Sequence, residues 1–133
     1  LWGSDDKILM LHFLENKLGK EKYGFPGGHI ESGEPAVFTA AREMFEESGI
    51  IMQHESLKLA HILNISKGLR DNRTYFYYIS ETWDGIPQSA DTKRYSAEWV
   101  DILNLPEKAE PYTKQVMKCI SKGEAYSLFG YNI

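Results

Sequence analysis

The segment from Pro35 to Gly49 constrains the fold of this 133-residue chain more than any other. Proline suits the first turn of a helix, where its missing N–H would have no partner, and glycine suits the residue after the last turn. Small and apolar side chains recur at three- and four-residue steps between them: Val37, Ala40, Ala41, Met44 and Ser48. This spacing predicts an amphipathic helix over residues 35–48 that buries one narrow face.

Two stretches before this helix predict a strand and a loop. Lys7–Phe13 is a nearly continuous apolar run after the turn-like residues Gly3–Asp6, so we expect a buried strand there. Gly19–Glu31 is rich in glycine and lacks a helical period, which predicts a loop with a short strand near Tyr23–Phe25. We expect the native N-terminal strand to be truncated, because the chain opens at Leu1 rather than at a methionine.

The residues after the helix carry further strand signals and a second helical pattern. Runs rich in β-branched and aromatic residues predict strands at 57–65, 74–79 and 97–102. Pro111–Lys122 has a helical period, with Gly123 just past its end. This order predicts one α/β domain over residues 1–133, with helices covering a mixed sheet. We expect the apolar C-terminal run 126–131 to dock onto that domain.

Composition and charge exclude several classes of protein. Fifteen Lys plus Arg against nineteen Asp plus Glu give a net charge of −4, which disfavours a clamp on long nucleic acid. The single cysteine, Cys119, excludes an intramolecular disulfide framework and a zinc site built on several thiolates. No run approaches the roughly 18 consecutive apolar residues of a membrane span. We therefore expect a soluble cytoplasmic protein that does not bind membranes.

Three glutamates stand out because their arrangement is locally unfavourable. Glu43, Glu46 and Glu47 lie at i, i+3 and i+4, so they share one face of the predicted helix. Like charges at this spacing cost roughly 0.2–0.5 kcal/mol per pair, and carboxylates in a last turn oppose the helix dipole. A hard divalent cation would reverse both penalties. Taken alone, the three glutamates leave two alternatives open, a solvated acidic face and a metal site.

The residues around these glutamates follow a longer pattern. It runs from a glycine through five residues to a glutamate, and then through seven residues to Arg-Glu-apolar-x-Glu-Glu-x-Gly-apolar: Gly28, Glu34, Arg42, Glu43, Met44, Glu46, Glu47, Gly49 and Ile50. This pattern resembles the signature of the Nudix hydrolase superfamily, in its MutT-like branch. A chance match in this chain is on the order of one in ten million, given average residue usage. Tyr23–Gly28 also resembles the aromatic-x-Phe-Pro-Gly-Gly segment that precedes the signature in that family.

The resemblance implies both a fold and a reaction. The fold would be an α/β/α sandwich with a mixed β-sheet between helices. The reaction would be hydrolysis of a nucleoside diphosphate linked to another group, with Mg²⁺ or Mn²⁺ as cofactor. A short chain with an intact signature favours a nucleoside triphosphate as substrate. The alternatives are ADP-ribose, a dinucleoside polyphosphate, a nucleotide sugar or capped RNA, and then a non-catalytic nucleotide-binding module. The partner would be a small nucleotide, and the protein a monomer or homodimer.

The resemblance also implies roles for residues of the signature. Three glutamates would bind the metal and carry catalysis: Glu43, Glu46 and Glu47. Gly27 would add a backbone carbonyl to the metal site. Glu34 and Arg42 would form a structural brace between the loop and the helix.

Seven residues outside the signature are expected to contact the substrate: His12, Tyr23, Phe25, Tyr75, Tyr77, Asp91 and Glu98. His12 stands where relatives carry a basic residue, and Asp91 or Glu98 would add a carboxylate. The aromatic side chains are able to stack on a base. The alternatives are a partly buried histidine, ordinary surface acids, and tyrosines that belong to the core.

Overall fold

The computed structural model describes residues 1–3, 5–14 and 21–132 of the chain. In chain order these residues form β1 (Lys7–Phe13), β2 (Lys22–Gly24), α1 (Ala36–Ser48), a short 3₁₀ helix (His54–Ser56), β3 (Lys58–Ser66), β4 (Asn72–Ile79), β5 (Tyr95–Asp101), α2 (Pro111–Ser121) and β6 (Tyr126–Phe129). Ser4, Gly19 and Lys20, for which a turn and a loop were predicted, lie outside the described residues.

The strands form two sheets of three strands each. In the first sheet β1 lies at the centre and pairs antiparallel with β2 and β5. In the second, β3 lies at the centre, antiparallel to β4 and parallel to β6. The predicted α/β sandwich is confirmed, with the strands divided between two sheets. The C-terminal run docks as predicted, and it does so by becoming a parallel strand on β3.

Helix α1 begins after Pro35 and ends at Ser48, as its sequence pattern predicts. Gly49 adopts the left-handed conformation with φ of 77°, and its N–H donates to the carbonyl of Phe45 at 2.9 Å. Met44 and Ser48 are buried, and Met44 packs against Leu9 of β1. The helix is thereby fixed against the first sheet, which sets the position of its acidic face.

Helix α2 packs against both sheets. Met117 lies in a core cluster with Ile8 and Met10 of the first sheet, whereas Val116 packs against Leu63 of the second. One helix therefore bridges the two sheets. No helix in the described ranges is long and apolar enough to cross a membrane.

Candidate active site

The guanidinium of Arg42 lies at the centre of the charged groups on α1. Its Nε donates to Glu34 Oε2 at 2.8 Å, and its Nη2 donates to Glu34 Oε1 at 3.0 Å. Nη2 also donates to the backbone carbonyl of His29 at 3.2 Å. This bidentate pair joins the loop before α1 to the middle of the helix, which is the arrangement that the family signature implied.

Glu34 accepts a further hydrogen bond from inside the helix. The hydroxyl of Thr39, which is buried, donates to Glu34 Oε1 at 2.6 Å. The Arg42 guanidinium and the Thr39 hydroxyl lower the pKa of Glu34 to about 2. Sequence reasoning missed Thr39, because nothing in a threonine five residues after a glutamate indicates this contact.

Two of the three glutamates on the acidic face of α1 share one nitrogen of Arg42. Nη1 donates to Glu43 Oε1 at 3.0 Å and to Glu46 Oε2 at 3.2 Å. The Glu43 side chain is 16% exposed and that of Glu46 is 52% exposed. The two carboxylates therefore already share a positively charged group, and they differ in how open they are to solvent.

The third glutamate is held by the loop instead. The Gly27 N–H donates to Glu47 Oε1 at 2.8 Å. Burial, together with the charges of Glu43 and Glu46, raises the pKa of Glu47 to about 7 against the opposing effect of the Gly27 N–H. The Glu47 backbone carbonyl accepts from the hydroxyl of Tyr95 at 2.9 Å, which ties this end of α1 to β5.

Gly28 makes room for Glu43. A Cβ atom at residue 28 would overlap the carboxylate of Glu43, whereas one at Gly27 would have no atom within 4 Å. The signature therefore needs a glycine at residue 28 for close approach rather than for an unusual backbone angle.

Among the described residues, no three His, Cys, Asp or Glu side chains stand together in the geometry of a metal site. The donor set still fits a hard divalent cation, for three reasons. It is made of oxygens only, Glu47 lies close enough to Glu43 and Glu46 for their charges to raise its pKa, and Glu43 and Glu46 converge on one cationic nitrogen. Four carboxylates lie within 4 Å of the Arg42 guanidinium, those of Glu31, Glu34, Glu43 and Glu46, so the cluster carries an excess of negative charge.

A cavity of about 560 Å³ lies between the two sheets. Gly27 and Gly28 form part of its wall, and they contact Glu47 and Glu43 respectively. The volume is within the range of about 300–1,000 Å³ that is typical of small-molecule sites. The α1 residues that line this space are Ala36, Thr39, Ala40 and Met44, so the glutamates lie behind Gly27 and Gly28 and do not line it.

Four predicted substrate residues line this cavity: Tyr23, Phe25, Tyr75 and Tyr77. Phe25 meets Tyr77 edge to face, with ring centroids 6.1 Å apart and an interplanar angle of 83°. Burial raises the pKa of Tyr77, so its hydroxyl is neutral over the physiological range. Tyr75 and Tyr77 also pack against the core cluster of the second sheet. These two side chains therefore belong both to the cavity wall and to the core.

Tyr112 completes the aromatic wall, and sequence reasoning missed it. It lies in the first turn of α2, lines the cavity, and packs against Tyr75 with centroids 5.8 Å apart. A tyrosine beside Pro111 carries no signal for this role, because the contact depends on how α2 crosses the second sheet.

His12, Glu98 and Asp91 do not line the cavity. His12 and Glu98 contact each other, with His12 Nδ1 2.7 Å from Glu98 Oε2. Asp91 Oδ1 accepts from the backbone N–H of Lys93 at 3.1 Å, which closes a turn near the end of α1. The structure therefore places these three residues outside the cavity, although His12 and Glu98 contact Tyr23 of its wall.

Comparisons with known proteins identify the family of the chain. The family model of the NUDIX domain matches residues 1–119. Phosphatase NudJ of Escherichia coli K12 is 28% identical over 132 residues, which covers 94% of this chain and 82% of NudJ.

Solved structures share the fold at lower identity. The MutT NUDIX hydrolase from Burkholderia pseudomallei superposes with a TM-score of 0.72 at 22% identity, covering 86% of this chain and 88% of that one. The MutT protein from Bacillus halodurans gives a TM-score of 0.74 at 21% identity, covering 95% of this chain and 82% of that one.

Proposed function

The chain belongs to the NUDIX domain family and is a Nudix pyrophosphohydrolase that acts on nucleoside diphosphate derivatives, and we propose that its substrate is a nucleoside triphosphate. One observation carries this proposal. A nucleotide-sized cavity with an aromatic wall includes Gly27 and Gly28, which contact Glu47 and Glu43, two of the three glutamates on one face of α1. The acidic end suits a metal-bound phosphate chain, and the aromatic end suits a base.

The proposed cofactor is Mg²⁺ or Mn²⁺, held by Glu43, Glu46 and Glu47 with the Gly27 carbonyl. A cation bound there would neutralise charge on the phosphate oxygens and lower the pKa of a bound water. Arg42 can release Glu43 and Glu46 without leaving its place, because Nε and Nη2 remain bonded to Glu34. The Glu34–Arg42 pair would thus hold the loop before α1 in a fixed position against the helix during catalysis.

Glu43 is proposed to orient the attacking water and to accept its proton. Its carboxylate is mostly buried and lies against Gly28, which lines the cavity. Glu46 is more exposed, so it is suited to holding the cation on the solvent side. Water then attacks one phosphorus of the anhydride, and the bond to the leaving phosphate oxygen breaks.

The proposal also covers the cellular setting. We propose a cytoplasmic enzyme that acts as a monomer or homodimer. The lone cysteine, Cys119, is free and buried, which suits a reducing compartment but does not require one.

A substrate screen tests the proposal. Purified protein is incubated with nucleoside triphosphates, ADP-ribose, a dinucleoside polyphosphate, a nucleotide sugar and capped RNA, with and without Mg²⁺, and products are identified by mass. We expect fastest release of pyrophosphate or phosphate from a nucleoside triphosphate, only with metal present. Faster cleavage of another substrate would overturn the substrate assignment, and no cleavage at micromolar enzyme would overturn catalysis on these nucleotides.

Two variants make the screen specific for the site. Glu46→Gln should lower the rate by orders of magnitude. Glu55→Gln, which alters an exposed glutamate on the 3₁₀ helix, should keep the rate of the unaltered protein. Equal activity of the two variants would contradict the role of Glu46.

A further inference from the structure

Four side chains of the first sheet meet on one face because of the strand register. His12 of β1 lies directly opposite Tyr23 of β2 on one side and Ser96 of β5 on the other. Glu98 lies two residues further along β5, so it projects from the same face as Ser96. The register alone therefore brings a histidine, a tyrosine, a serine and a glutamate together.

Glu98 accepts hydrogen bonds from all three of the others. Its Oε2 accepts from His12 Nδ1 at 2.7 Å and from the Ser96 hydroxyl at 2.8 Å. Its Oε1 accepts from the Tyr23 hydroxyl at 3.3 Å. Burial and the neighbouring Glu98 raise the pKa of Tyr23, which keeps the phenol protonated and able to donate. Both carboxylate oxygens of Glu98 are therefore engaged within the protein.

The His12 ring also covers one face of Tyr23. The two rings are stacked with centroids 4.1 Å apart and an interplanar angle of 8°. His12 Nε2 lies 3.3 Å from Glu21 Oε2, and Glu21 Oε1 lies 3.0 Å from Lys108 Nζ. The backbone carbonyl of Lys108 accepts from the Tyr23 N–H at 3.2 Å. Tyr23 is thus fixed at its ring, at its hydroxyl and at its backbone.

We propose that His12 and Glu98 are positioning residues that fix Tyr23 as a wall of the nucleotide cavity and act on substrate affinity only through it. This inference rests on the proposed function, since it concerns the same cavity. Tyr23 lines that cavity, whereas His12 and Glu98 do not. The role differs from the direct substrate contact that the sequence predicted for both residues.

The physical basis is preorganisation. Tyr23 belongs to a strand of only three residues, so the local backbone gives its side chain little support. Binding a nucleotide against a mobile tyrosine would cost side-chain entropy, whereas His12 and Glu98 order the ring beforehand. Loss of the support should therefore weaken nucleotide binding by about threefold to tenfold, with little effect on the chemical step.

A double-mutant cycle tests this inference. Steady-state KM and kcat are measured for the nucleoside triphosphate hydrolysed fastest, with Glu98→Gln, His12→Phe, Tyr23→Leu and Tyr23→Leu combined with Glu98→Gln. We expect Glu98→Gln and His12→Phe to raise KM threefold to tenfold and to change kcat less than twofold. In the Tyr23→Leu background, Glu98→Gln should change KM no further. An equal effect of Glu98→Gln in both backgrounds, or an effect on kcat alone, overturns the inference.

Matched controls separate positioning from general stability. His54 also stacks on an aromatic ring, that of Phe38 at 3.9 Å, but neither residue lines the cavity. His54→Phe should leave KM unchanged, and a rise like that of His12→Phe would overturn the inference. Tyr23→Phe removes only the hydrogen bond from the Tyr23 hydroxyl to Glu98. This variant replaces Glu98→Gln in the test if Glu98→Gln fails to fold. It should raise KM without lowering the thermal midpoint by more than a few degrees, and an unchanged KM would count against the role.

A binding measurement distinguishes failure of this inference from failure of the proposed function. If the unaltered protein hydrolyses a nucleoside triphosphate but the cycle is additive, only the inference fails. If the unaltered protein hydrolyses no nucleoside triphosphate, the substrate assignment fails. The double-mutant cycle is then repeated with the Kd of Mg²⁺–ATP, measured by calorimetry, in place of KM. Non-additive losses in Kd would support the inference, and additive or absent losses would overturn it.

Discussion

The carboxylate of Glu43 occupies the space that a side chain at Gly28 would fill. The loop can approach the helix this closely because residue 28 has no Cβ atom. We expect Gly28→Ala to displace Glu43 and to lower kcat at least tenfold, because a glutamate moved by about 1 Å no longer meets metal and water correctly. Steady-state kinetics with saturating Mg²⁺ checks this result.

Gly24→Ala is the control for that substitution. A Cβ atom at residue 24 would make only an ordinary contact with Phe13, at 3.7 Å. Its kcat should stay within about twofold of the unaltered protein, since that contact needs no displacement. Equal losses in the two variants would show that any added carbon in this region is harmful and that the fit of Glu43 is not the cause.

The bond between Glu34 and Arg42 predicts a specific dependence of stability on pH. The pKa of Glu34 is lowered from 4.5 to about 2 in the folded protein, so the unfolded chain binds more protons between those values. The contribution of Glu34 is therefore fully present above pH 4.5 and is lost as the pH falls through about 2. Urea unfolding of Glu34→Gln and of the unaltered protein from pH 7 to pH 3 should show midpoints that converge towards the acid end.

Glu55→Gln provides the comparison for this pH series. Its glutamate is exposed, so its midpoint should follow that of the unaltered protein throughout. The assigned ion pair would be contradicted if the difference in urea midpoint between Glu34→Gln and the unaltered protein stayed constant down to pH 3.

Gly130 is required where the chain leaves β6. It has φ of 80°, and a Cβ atom there would overlap the backbone carbonyl oxygen of Ser66. A residue other than glycine in the left-handed conformation costs roughly 1–2 kcal/mol. Gly130→Ala should lower the free energy of unfolding by more than that, because the backbone of Ser66 cannot move aside. Gly123 has φ of 73° and no atom within 4 Å of a Cβ, so Gly123→Ala should cost only that strain. Equal losses in denaturant unfolding would refute the overlap.

His61 is buried between α2 and β6 and is fully bonded. Its Nδ1 lies 2.8 Å from the Glu124 carbonyl oxygen, and its Nε2 lies 2.8 Å from the Ser127 hydroxyl. With a single ring proton on Nδ1, His61 donates to the carbonyl and Nε2 accepts from Ser127, whose oxygen in turn accepts from Gln115 Nε2 at 3.1 Å. Ser127→Ala leaves the His61 nitrogen unpaired and should cost about 1–3 kcal/mol of stability.

Two measurements check the His61 prediction. Thermal or urea unfolding of Ser127→Ala should show the loss, while Ser32→Ala, at an exposed position, should unfold like the unaltered protein. Nitrogen chemical shifts of His61 should report a proton on Nδ1. A proton on Nε2 would contradict the bonding scheme whatever the stability of the variant.

Much of the site was predictable because its signal is local. Pro35, Gly49 and the spacing of small residues define α1 by themselves, and the glutamates follow from helical geometry. The bond between Arg42 and Glu34 was expected from the family resemblance, but the bonds from Arg42 to Glu43 and Glu46 were not. They depend on a side-chain conformation that spacing does not specify.

The remaining features depend on pairings that are distant in sequence. His12 and Glu98 lie 86 residues apart, and only the β1–β5 register brings them together. The sequence analysis therefore identified both residues as candidate site residues, but it predicted direct contact with the substrate and not contact with each other. β6 was expected to dock, yet its parallel pairing with β3 depends on the crossing of α2. The division into two sheets likewise reflects hydrogen bonding that local patterns do not encode.

The central claim is that Glu43, Glu46 and Glu47 together bind the cation used for hydrolysis. Anomalous diffraction from a crystal grown with Mn²⁺ and a non-hydrolysable nucleoside triphosphate tests it most directly. We predict a manganese peak about 2.0–2.2 Å from oxygens of these carboxylates, with Arg42 still bonded to Glu34. A saturated crystal in which manganese lies elsewhere, while Glu43 and Glu46 remain bound to Arg42, would contradict the account.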